Sequence, residues 1–401
     1  MKAIFKFLLL LFLINIDVLQ GGLVFSNRSS SILISPGGKL YLQDTNSIAG
    51  WSRESIVQTS GNNSPINWDP SWTGDNSITY QVAPEPFLPE NRGDITLQVY
   101  YHELKTDLLL GPNRHFIIQS SPSTNYTFIQ GNGYTINLAE GFSNLIQIEA
   151  GQTVEIANTV IKNYDENGIY LPAGATLKFL NSTIEITDNR ALYKPLNLAG
   201  EVIINGYGYT VSMNPGAYVN IDAGQLTINN VVFYGIGGQN LACKTADTNL
   251  ILQNCNLFLT DNYRFKNGGL QMIDSTISGF EGFNFESSQT FSISRTVMFD
   301  TGITFSYSPS NDRRDLLYMD DSSILYLNGC TLRTTITGMQ LTTGTLIVNG
   351  QNHVYNDGAV SLSQAFLLGN GNPANDLDIE ILPGASISLE SGKLLYANVN
   401  L

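Results

Sequence analysis

Apolar and polar residues alternate with a period of two in short runs that recur along most of the chain. Each run closes on Asn, Asp, Gly or Arg at its fifth position, and a small residue follows. Such alternation predicts a short strand with one buried face, and the fifth residue predicts a sharp turn. The clearest runs are 154–159, 177–182, 226–231, 250–255, 270–275, 291–296 and 325–330.

The spacing of these runs indicates a repeat. They begin at positions 154, 177, 202, 226, 250, 270, 291, 325 and 346, which lie 20–25 residues apart except for one gap of 34. A strand and turn that return at this period are typical of a solenoid whose turns stack about 4.8 Å apart. We therefore predict an all-β fold, a right-handed parallel β-helix, with an inserted loop in the longer gap.

The fifth residue of each run favours a left-handed backbone, which Asn, Asp and Gly tolerate better than other residues. When the same bend recurs in successive turns of a solenoid, its side chains align and can hydrogen-bond along the column. We predict such an asparagine ladder with Asn254 buried in it, so that Asn254→Leu costs about 1–3 kcal/mol. The predicted ladder residues are Asn158, Asn181, Asn230, Asn254 and Asp274.

The beginning of the chain differs from the repeat. A basic start and an unbroken apolar stretch at 7–14 are typical of a secretory signal peptide, which we place at residues 1–22. Residues 23–125 are predicted to form an irregular N-terminal cap or small β module, and residues 126–401 the parallel β-helix. The leader predicts a secreted, periplasmic or cell-surface protein.

All three tryptophans fall within the predicted cap. Packing inside the cap is one interpretation, because a solenoid must cover the open end of its first turn. Sugar binding is the other, since the face of an indole ring offers an apolar patch on which a sugar ring can stack. The candidate ligand-binding residues are therefore Trp51, Trp68 and Trp72.

Charge narrows the classes of partner. The formal net charge is −14, and only 13% of the residues are Asp, Glu, Lys or Arg. Because a negative chain repels phosphate groups, we expect no nucleic-acid partner. No apolar run after the leader is long enough to cross a bilayer, so we predict no membrane span in the mature chain. An extracellular polysaccharide, or a host or cell-surface protein, is the expected partner.

The spacing of cysteine and histidine predicts no metal site and no cofactor. Cys255 and Cys330 share the small-residue position after the turn, and we predict that they are buried thiols; Cys243 lies outside that position. The three histidines form no cluster along the sequence. The many aromatic residues between Phe280 and Tyr307 are predicted to stack in the interior.

One dense charged cluster falls within the gap of 34 residues. Paired carboxylates on an exposed loop could serve hydrolysis or calcium-dependent elimination of a polysaccharide. A solvated loop whose charges pair locally is the alternative. The weak catalytic candidates are Asp312, Arg313, Arg314, Asp315, Asp320 and Asp321.

The leader, the turn residues and the degenerate repeats together resemble the pectate-lyase-like β-helix superfamily. Sugar hydrolases of that group carry Asn-Thr-Asp, Gly-His-Gly and Arg-Ile-Lys runs, and none of these occurs in this chain. The closer resemblance is to non-enzymatic, adhesin-like passenger regions of bacterial surface proteins, which implies adhesion or display.

The expected function is thus that of an exported or cell-surface structural or binding protein without an evident catalytic site. Two alternatives remain open at this point. One is a polysaccharide lyase or glycoside hydrolase that uses the charged cluster, and the other is a trimeric spike-like protein.

Overall fold

The chain folds as an all-β protein, a parallel β-solenoid of about 11 turns, which confirms the predicted fold class. The computed structural model describes residues 94–98, 100–104, 106–112, 114–120, 124–334, 338–358, 361–369 and 376–397, together with five short strands before residue 81. Within these residues the helical structure consists of two 3₁₀ turns, Glu166–Gly168 and Leu362–Gln364. No helix in this part of the chain is long and apolar enough to cross a membrane.

Thirty-nine strands make up the described structure. The first fifteen are β1 Ile32–Ile34, β2 Tyr41–Leu42, β3 Ile56–Gln58, β4 Asn67–Trp68, β5 Ile78–Tyr80, β6 Ile95–Leu97, β7 Tyr101–Glu103, β8 Leu108–Leu110, β9 Phe116–Ile118, β10 Tyr126–Gln130, β11 Thr135–Leu138, β12 Ile146–Ile148, β13 Thr153–Ala157, β14 Val160–Lys162 and β15 Ile169–Tyr170. The next twelve are β16 Thr176–Leu180, β17 Thr183–Glu185, β18 Arg190–Leu192, β19 Pro195–Asn205, β20 Thr210–Met213, β21 Tyr218–Asn229, β22 Val232–Gly238, β23 Leu241–Cys243, β24 Asn249–Gln253, β25 Asn256–Phe265, β26 Gly269–Gly279 and β27 Gly282–Phe285. The last twelve are β28 Phe291–Phe299, β29 Thr304–Tyr307, β30 Leu317–Met319, β31 Ile324–Asn328, β32 Thr331–Thr334, β33 Gln340–Leu341, β34 Thr345–Asn349, β35 Gln351–Asn356, β36 Phe366–Leu368, β37 Asp378–Ile381, β38 Ser386–Ser391 and β39 Leu394–Tyr396.

The strands belong to two compact units, one of residues 1–160 with 167–177 and the other of residues 161–166 with 178–401. In the first unit, β6 pairs in parallel with β5 and β9, and β9 pairs with β12. This register brings buried apolar side chains of successive strands into one column. Parallel pairing is therefore present on both sides of residue 126, where the sequence analysis places the start of the β-helix.

In the second unit the predicted repeat is a column of directly paired residues. Val202, Leu226, Leu250, Leu270 and Phe291 are successive partners in parallel strands. All five side chains are buried, because each alternate position of these strands faces the interior. The sequence therefore correctly predicts which residues of these strands face the interior.

The repeat then changes column, and the predicted insertion is wrong. The partner of Phe291 one turn later is Leu317, whereas Leu325 pairs with Val297. Strand β28 is long enough for its first half to pair with β30 and its second half with β31. The gap of 34 residues therefore arises because the sequence pattern moves from one wall of the solenoid to the next, where strands carry the same alternation.

The residues at the predicted bends do adopt the left-handed backbone. The φ angles are 52° at Asn158, 45° at Asn181, 54° at Asn230, 53° at Asn254 and 47° at Asp274. At Asn230 and Asn254 the backbone N–H donates to the carbonyl of the residue before the bend of the next turn, Gln253 at 2.8 Å and Ile273 at 2.9 Å. The interstrand hydrogen bonds thus continue through the bend.

The side chains of these bends do not form the predicted ladder. Those of Asn230 and Asn254 are exposed, and within the described residues neither makes a hydrogen bond. Asn158 donates instead to Gln130 Oε1 at 3.1 Å, and the Asp274 carboxylate accepts from Arg295 at 3.0 Å. The buried role predicted for the Asn254 side chain is therefore wrong, because a left-handed residue at this bend points its side chain to solvent.

Amide-to-amide bonds occur one position earlier, at the last residue of the strand. Asn229 Nδ2 donates to Asn205 Oδ1 at 3.0 Å, and Asn349 Nδ2 donates to Asn328 Oδ1 at 2.8 Å. Asn328 in turn donates to Asp300 Oδ1 at 2.7 Å. A short ladder of three turns therefore exists, formed by residues other than those predicted.

The small residue after the bend is buried in turn after turn. Cys255 and Cys330 occupy this position and are buried free thiols, as predicted. In the run that starts at Phe291 the bend takes one more residue, so Val297 and not Thr296 takes the buried place beside Ser275. The other buried members are Thr159, Ser182 and Val231.

Interior aromatic stacking is confirmed for most of the rings between Phe280 and Tyr307, and it is wrong for Phe280, which is 80% exposed. Phe285 lies between Phe265 and Tyr307, with ring centroids 6.1 and 6.0 Å apart and ring planes within 17° of parallel. Phe283 stacks on Tyr263 in the same way at 5.5 Å. All five rings are buried, so this column stabilises the core and leaves no ring face for a ligand.

Candidate functional site

The charged cluster proposed from the sequence is occupied by its own contacts. Arg313 holds Asp315 with two bonds, Nε to Oδ1 at 2.8 Å and Nη2 to Oδ2 at 2.6 Å. This guanidinium lowers the pKa of Asp315, and so keeps the carboxylate charged. Arg314 donates to the backbone carbonyl of Ser363 at 3.1 Å. These side chains pair locally and do not converge on a common point.

Asp320 fixes the turn that leads into β31. Its Oδ1 accepts hydrogen bonds from the Ser323 and Ser322 hydroxyls, both at 2.7 Å, and from the Ser322 N–H at 2.9 Å. The two hydroxyl groups lower the pKa of Asp320, so this group is a poor proton donor near neutral pH. Asp312 and Asp321 are exposed. The arrangement is that of a structural turn beside a solvated loop.

The other candidate ligands also have local roles. His115 Nδ1 lies 2.7 Å from Asp94, and His353 Nδ1 lies 2.7 Å from Glu390. Within the described residues, no group of three or more His, Cys, Asp or Glu side chains could hold a metal ion. Trp68 lies in β4, whereas Trp51 and Trp72, like the predicted leader at 1–22, fall outside the described residues.

Burial makes the three thiols unreactive. It raises the pKa of Cys243 and of Cys255 to about 11, and that of Cys330 to about 12. Since the thiolate is the nucleophile, a thiol with such a pKa is almost wholly protonated at neutral pH. The cysteines are therefore core residues and offer no catalytic nucleophile.

One wall of the second unit carries an outward surface without charge, which we call the neutral face. Seven consecutive strands form it, paired in parallel, with a register shift at β28, where Thr276 pairs with Met298 and the column of Ser278 runs on to Asp300. None of its residues is Asp, Glu, Lys or Arg, although the chain as a whole carries a net charge of −14. The neutral face consists of residues 210–212, 232–234, 256–258, 276–278, 296–298, 324–326 and 345–347.

The outward positions of the neutral face combine hydroxyl, amide and aromatic groups. One column along it contains Thr210, Val232, Asn256, Thr276 and Met298 as successive partners. None of these five side chains is fully buried, so the column remains open to solvent. The surface can therefore hydrogen-bond and stack without bringing a charge into the contact.

An aromatic pair stands on the neutral face beside that column. Tyr234 and Phe258 are partners in adjacent strands, and their rings stack with centroids 5.0 Å apart and planes 17° from parallel. Tyr234 is 51% exposed, whereas the interior rings described above are buried. This pair is the clearest ring surface that the described residues present on the neutral face.

Three further exposed tyrosines surround strand β20, which begins the neutral face. Tyr207 and Tyr209 precede it at the bend, and Tyr193 follows β18, the strand that pairs with β20. Tyr234 lies on the strand that pairs with β20 on its other side. Four exposed tyrosines therefore gather around the strand that carries Thr210.

Another set of strands in the same unit carries paired charges. Arg264 holds Glu286 with bonds of 2.7 and 2.9 Å, and Arg333 lies 3.4 Å from Asp357. The guanidinium of Arg333 also lies 5.1 Å from the centre of the Tyr355 ring. The neutral face differs from these strands in its outward residues, and its charged neighbours are Asp300 after β28 and the Asp274–Arg295 pair at the bends.

The sequence interpretation did not identify the neutral face. The signal was present, because Val232 and Tyr234 occupy the outward phase of their run, where polar residues are usual. What alternation could not show is which strands pair, and therefore that Tyr234 lies beside Phe258. The charged cluster at 312–321 is a more conspicuous signal in the sequence, and it is local structure.

Comparison with protein-family models, with curated proteins and with solved structures found no match for this chain.

Proposed function

We propose that this protein is an exported, non-catalytic β-solenoid that binds an extracellular partner, a polysaccharide or a cell-surface protein, through its neutral face. The observation that carries the proposal is the seven-strand surface without charge and with an exposed stacked pair, Tyr234 and Phe258. The leader at 1–22 and the resemblance to non-enzymatic surface passengers support export and display.

The physical basis is the low cost of removing water from such a surface. When a partner covers a charged side chain, the loss of hydration costs on the order of several kcal/mol. Only a well-placed opposite charge offsets this cost. Hydroxyl and amide groups lose less, and a partner's polar groups can replace their water. Exposed aromatic rings gain from being covered. A wall with these groups and without charge suits a broad contact surface.

The alternative of an enzyme receives less support from the same structure. Asp315 is held by Arg313, and Asp320 is used by a turn, so neither is free to serve as acid, base or calcium ligand without losing that contact. On this basis we assign Asp315 and Asp320 structural roles.

The test is a screen of the purified mature protein against acidic and neutral polysaccharides with calcium, which scores retention and chain cleavage separately. We expect retention of at least one polymer, or of cells that display one, without cleavage. Cleavage that disappears in Asp320→Ala or Asp321→Ala would overturn the proposal in favour of a lyase or hydrolase. A protein that neither retains a polymer nor adheres to any cell surface would also contradict it.

A further inference from the structure

The Tyr234 ring has two faces, and they have different neighbours. Phe258, one turn away, covers one face at a centroid distance of 5.0 Å. On the other side the partner of Tyr234 is Ser212, and the partner of Ser212 one turn further is Ala191. Serine and alanine side chains are too short to cover a phenol ring. No described ring stacks on the second face of Tyr234, and the residue is 51% exposed. We call the place beside this face, over Ser212 and Ala191, the Tyr234 recess.

The thickness of the Tyr234 recess follows from the solenoid. Successive turns lie about 4.8 Å apart, and the Tyr234–Phe258 stack shows that one planar ring fills one turn on this wall. The turn that carries Ser212 consequently leaves room for one ring in contact with Tyr234. Ala191 in the next turn extends the floor without closing it.

The groups around the Tyr234 recess are alcohols and phenols. Thr210 and Ser212 lie on its floor in the same strand, and within the described residues neither hydroxyl makes a hydrogen bond. Tyr209 is exposed at the start of that strand. Arg190 on β18 is a cation that lies close by register, since it pairs with Val211, and it lies 3.4 Å from Asp188 and 3.9 Å from Asp165. The recess thus presents one aromatic face, free hydroxyl groups and no available charge.

We infer that the Tyr234 recess binds a sugar ring of a neutral polysaccharide; this rests on the proposed function and names its ligand class. A pyranose ring has an apolar face, which can stack on a phenol, and a rim of hydroxyl groups, which can bond to Ser212 and Thr210. An acidic polymer would find no unpaired cation at this place and would meet a chain with a net charge of −14. A protein anchor such as Leu would leave the floor hydroxyls without partners.

The experiment measures retardation of the full mature protein in native gels that contain one soluble polymer each: laminarin, xyloglucan or galactomannan as neutral probes, and polygalacturonate as the acidic probe. We expect retardation by at least one neutral polymer. Two variants then test the recess from opposite directions. Tyr234→Ala removes the stacking face, and Ser212→Tyr fills the recess with a ring in register with Tyr234 and Phe258. Each is expected to weaken the apparent affinity about tenfold or more.

Tyr318→Ala is the matched control, because Tyr318 is 56% exposed and faces outward on β30, a strand outside the neutral face. It is expected to bind as the unaltered protein does. Circular dichroism of each variant checks that the solenoid is intact, and Ser212→Tyr adds a ring to an existing stack, so it keeps the test valid if Tyr234→Ala fails to fold.

Three results would overturn the inference. They are absence of retardation by every neutral polymer, unchanged binding in both Tyr234→Ala and Ser212→Tyr, and equal loss in Tyr318→Ala. Binding to polygalacturonate alone would refute the neutral ligand and leave the proposed binding function standing. Cleavage of a polymer would instead refute the proposed function, so the two failures are distinguishable.

Discussion

Asn254 decides whether the turn column is stabilised by its backbone or by its side chains. Its φ is 53° and its side chain is exposed without a hydrogen bond in the described structure. Glycine adopts this φ without strain, whereas an ordinary side chain there costs about 1–2 kcal/mol. We therefore expect Asn254→Gly to change the free energy of unfolding by less than about 0.5 kcal/mol, and Asn254→Leu and Asn254→Ala to cost about 1–2 kcal/mol.

Asn229 provides the matched control, one residue before the neighbouring bend. Its side chain donates to Asn205, and it lies at the end of a strand with extended backbone. Glycine weakens a strand by about 0.5–1 kcal/mol relative to alanine. The order of the two substitutions should therefore reverse, with Asn229→Gly less stable than Asn229→Ala and Asn254→Gly more stable than Asn254→Ala.

The assay is urea unfolding followed by far-ultraviolet circular dichroism, with hydrogen exchange of peptides that cover residues 249–259 as a local measure. The local measure is needed because a solenoid can open a few turns at a time. If Asn254→Gly proves as destabilised as Asn254→Leu, the side chain and not the left-handed backbone stabilises the bend, and the reasoning fails.

The remaining predictions concern the thiols and the Asp320 turn. At pH 7.5 the folded protein should not react with a thiol reagent such as dithionitrobenzoate, whereas in urea all three cysteines should react. Rapid labelling of the folded chain would contradict their burial. Because the folded pKa of Cys255 is raised to about 11, the unfolded chain loses this proton first, and stability should fall as the pH rises above about 9 and towards 11. In Cys255→Val this alkaline loss should be smaller by up to about 2–3 kcal/mol, measured by urea unfolding at pH 8 and pH 10.5; an unchanged pH dependence would show that the thiol does not contribute. Asp320→Ala should cost about 1 kcal/mol of stability through its lost hydrogen bonds, whereas the neighbouring Asp321→Ala should cost almost none; equal effects would remove the structural role of Asp320.

Much of the fold could be predicted because the repeat is a local pattern. Alternation fixed which residues of 226–231 and 250–255 face inward, and the small residue after the bend correctly placed Cys255 and Cys330 in the core. Positive φ at Asn230 followed from residue type alone. These properties depend on a few neighbours along the chain, so the sequence contains them.

Pairing between strands could not be predicted in the same way. Two walls of the solenoid carry the same alternation and the same kind of bend, so the period cannot tell whether Leu325 follows Phe291 or Val297. The parallel pairing of β6 and β9 could not be predicted for a related reason, since these short strands are too brief to show alternation over several residues. The neutral face depends on register between turns, and it became visible only with the pairing of Tyr234 and Phe258.

Strand β28 has a consequence for how the chain can change length. Because its first half pairs with β30 and its second half with β31, this one strand belongs to two walls of the solenoid. A deletion of a single residue within either half reverses which side chains of that half face the interior, since alternate side chains exchange faces. Insertions and deletions should therefore be accepted at the loop 308–316, which lies between strands, and rejected within 291–299.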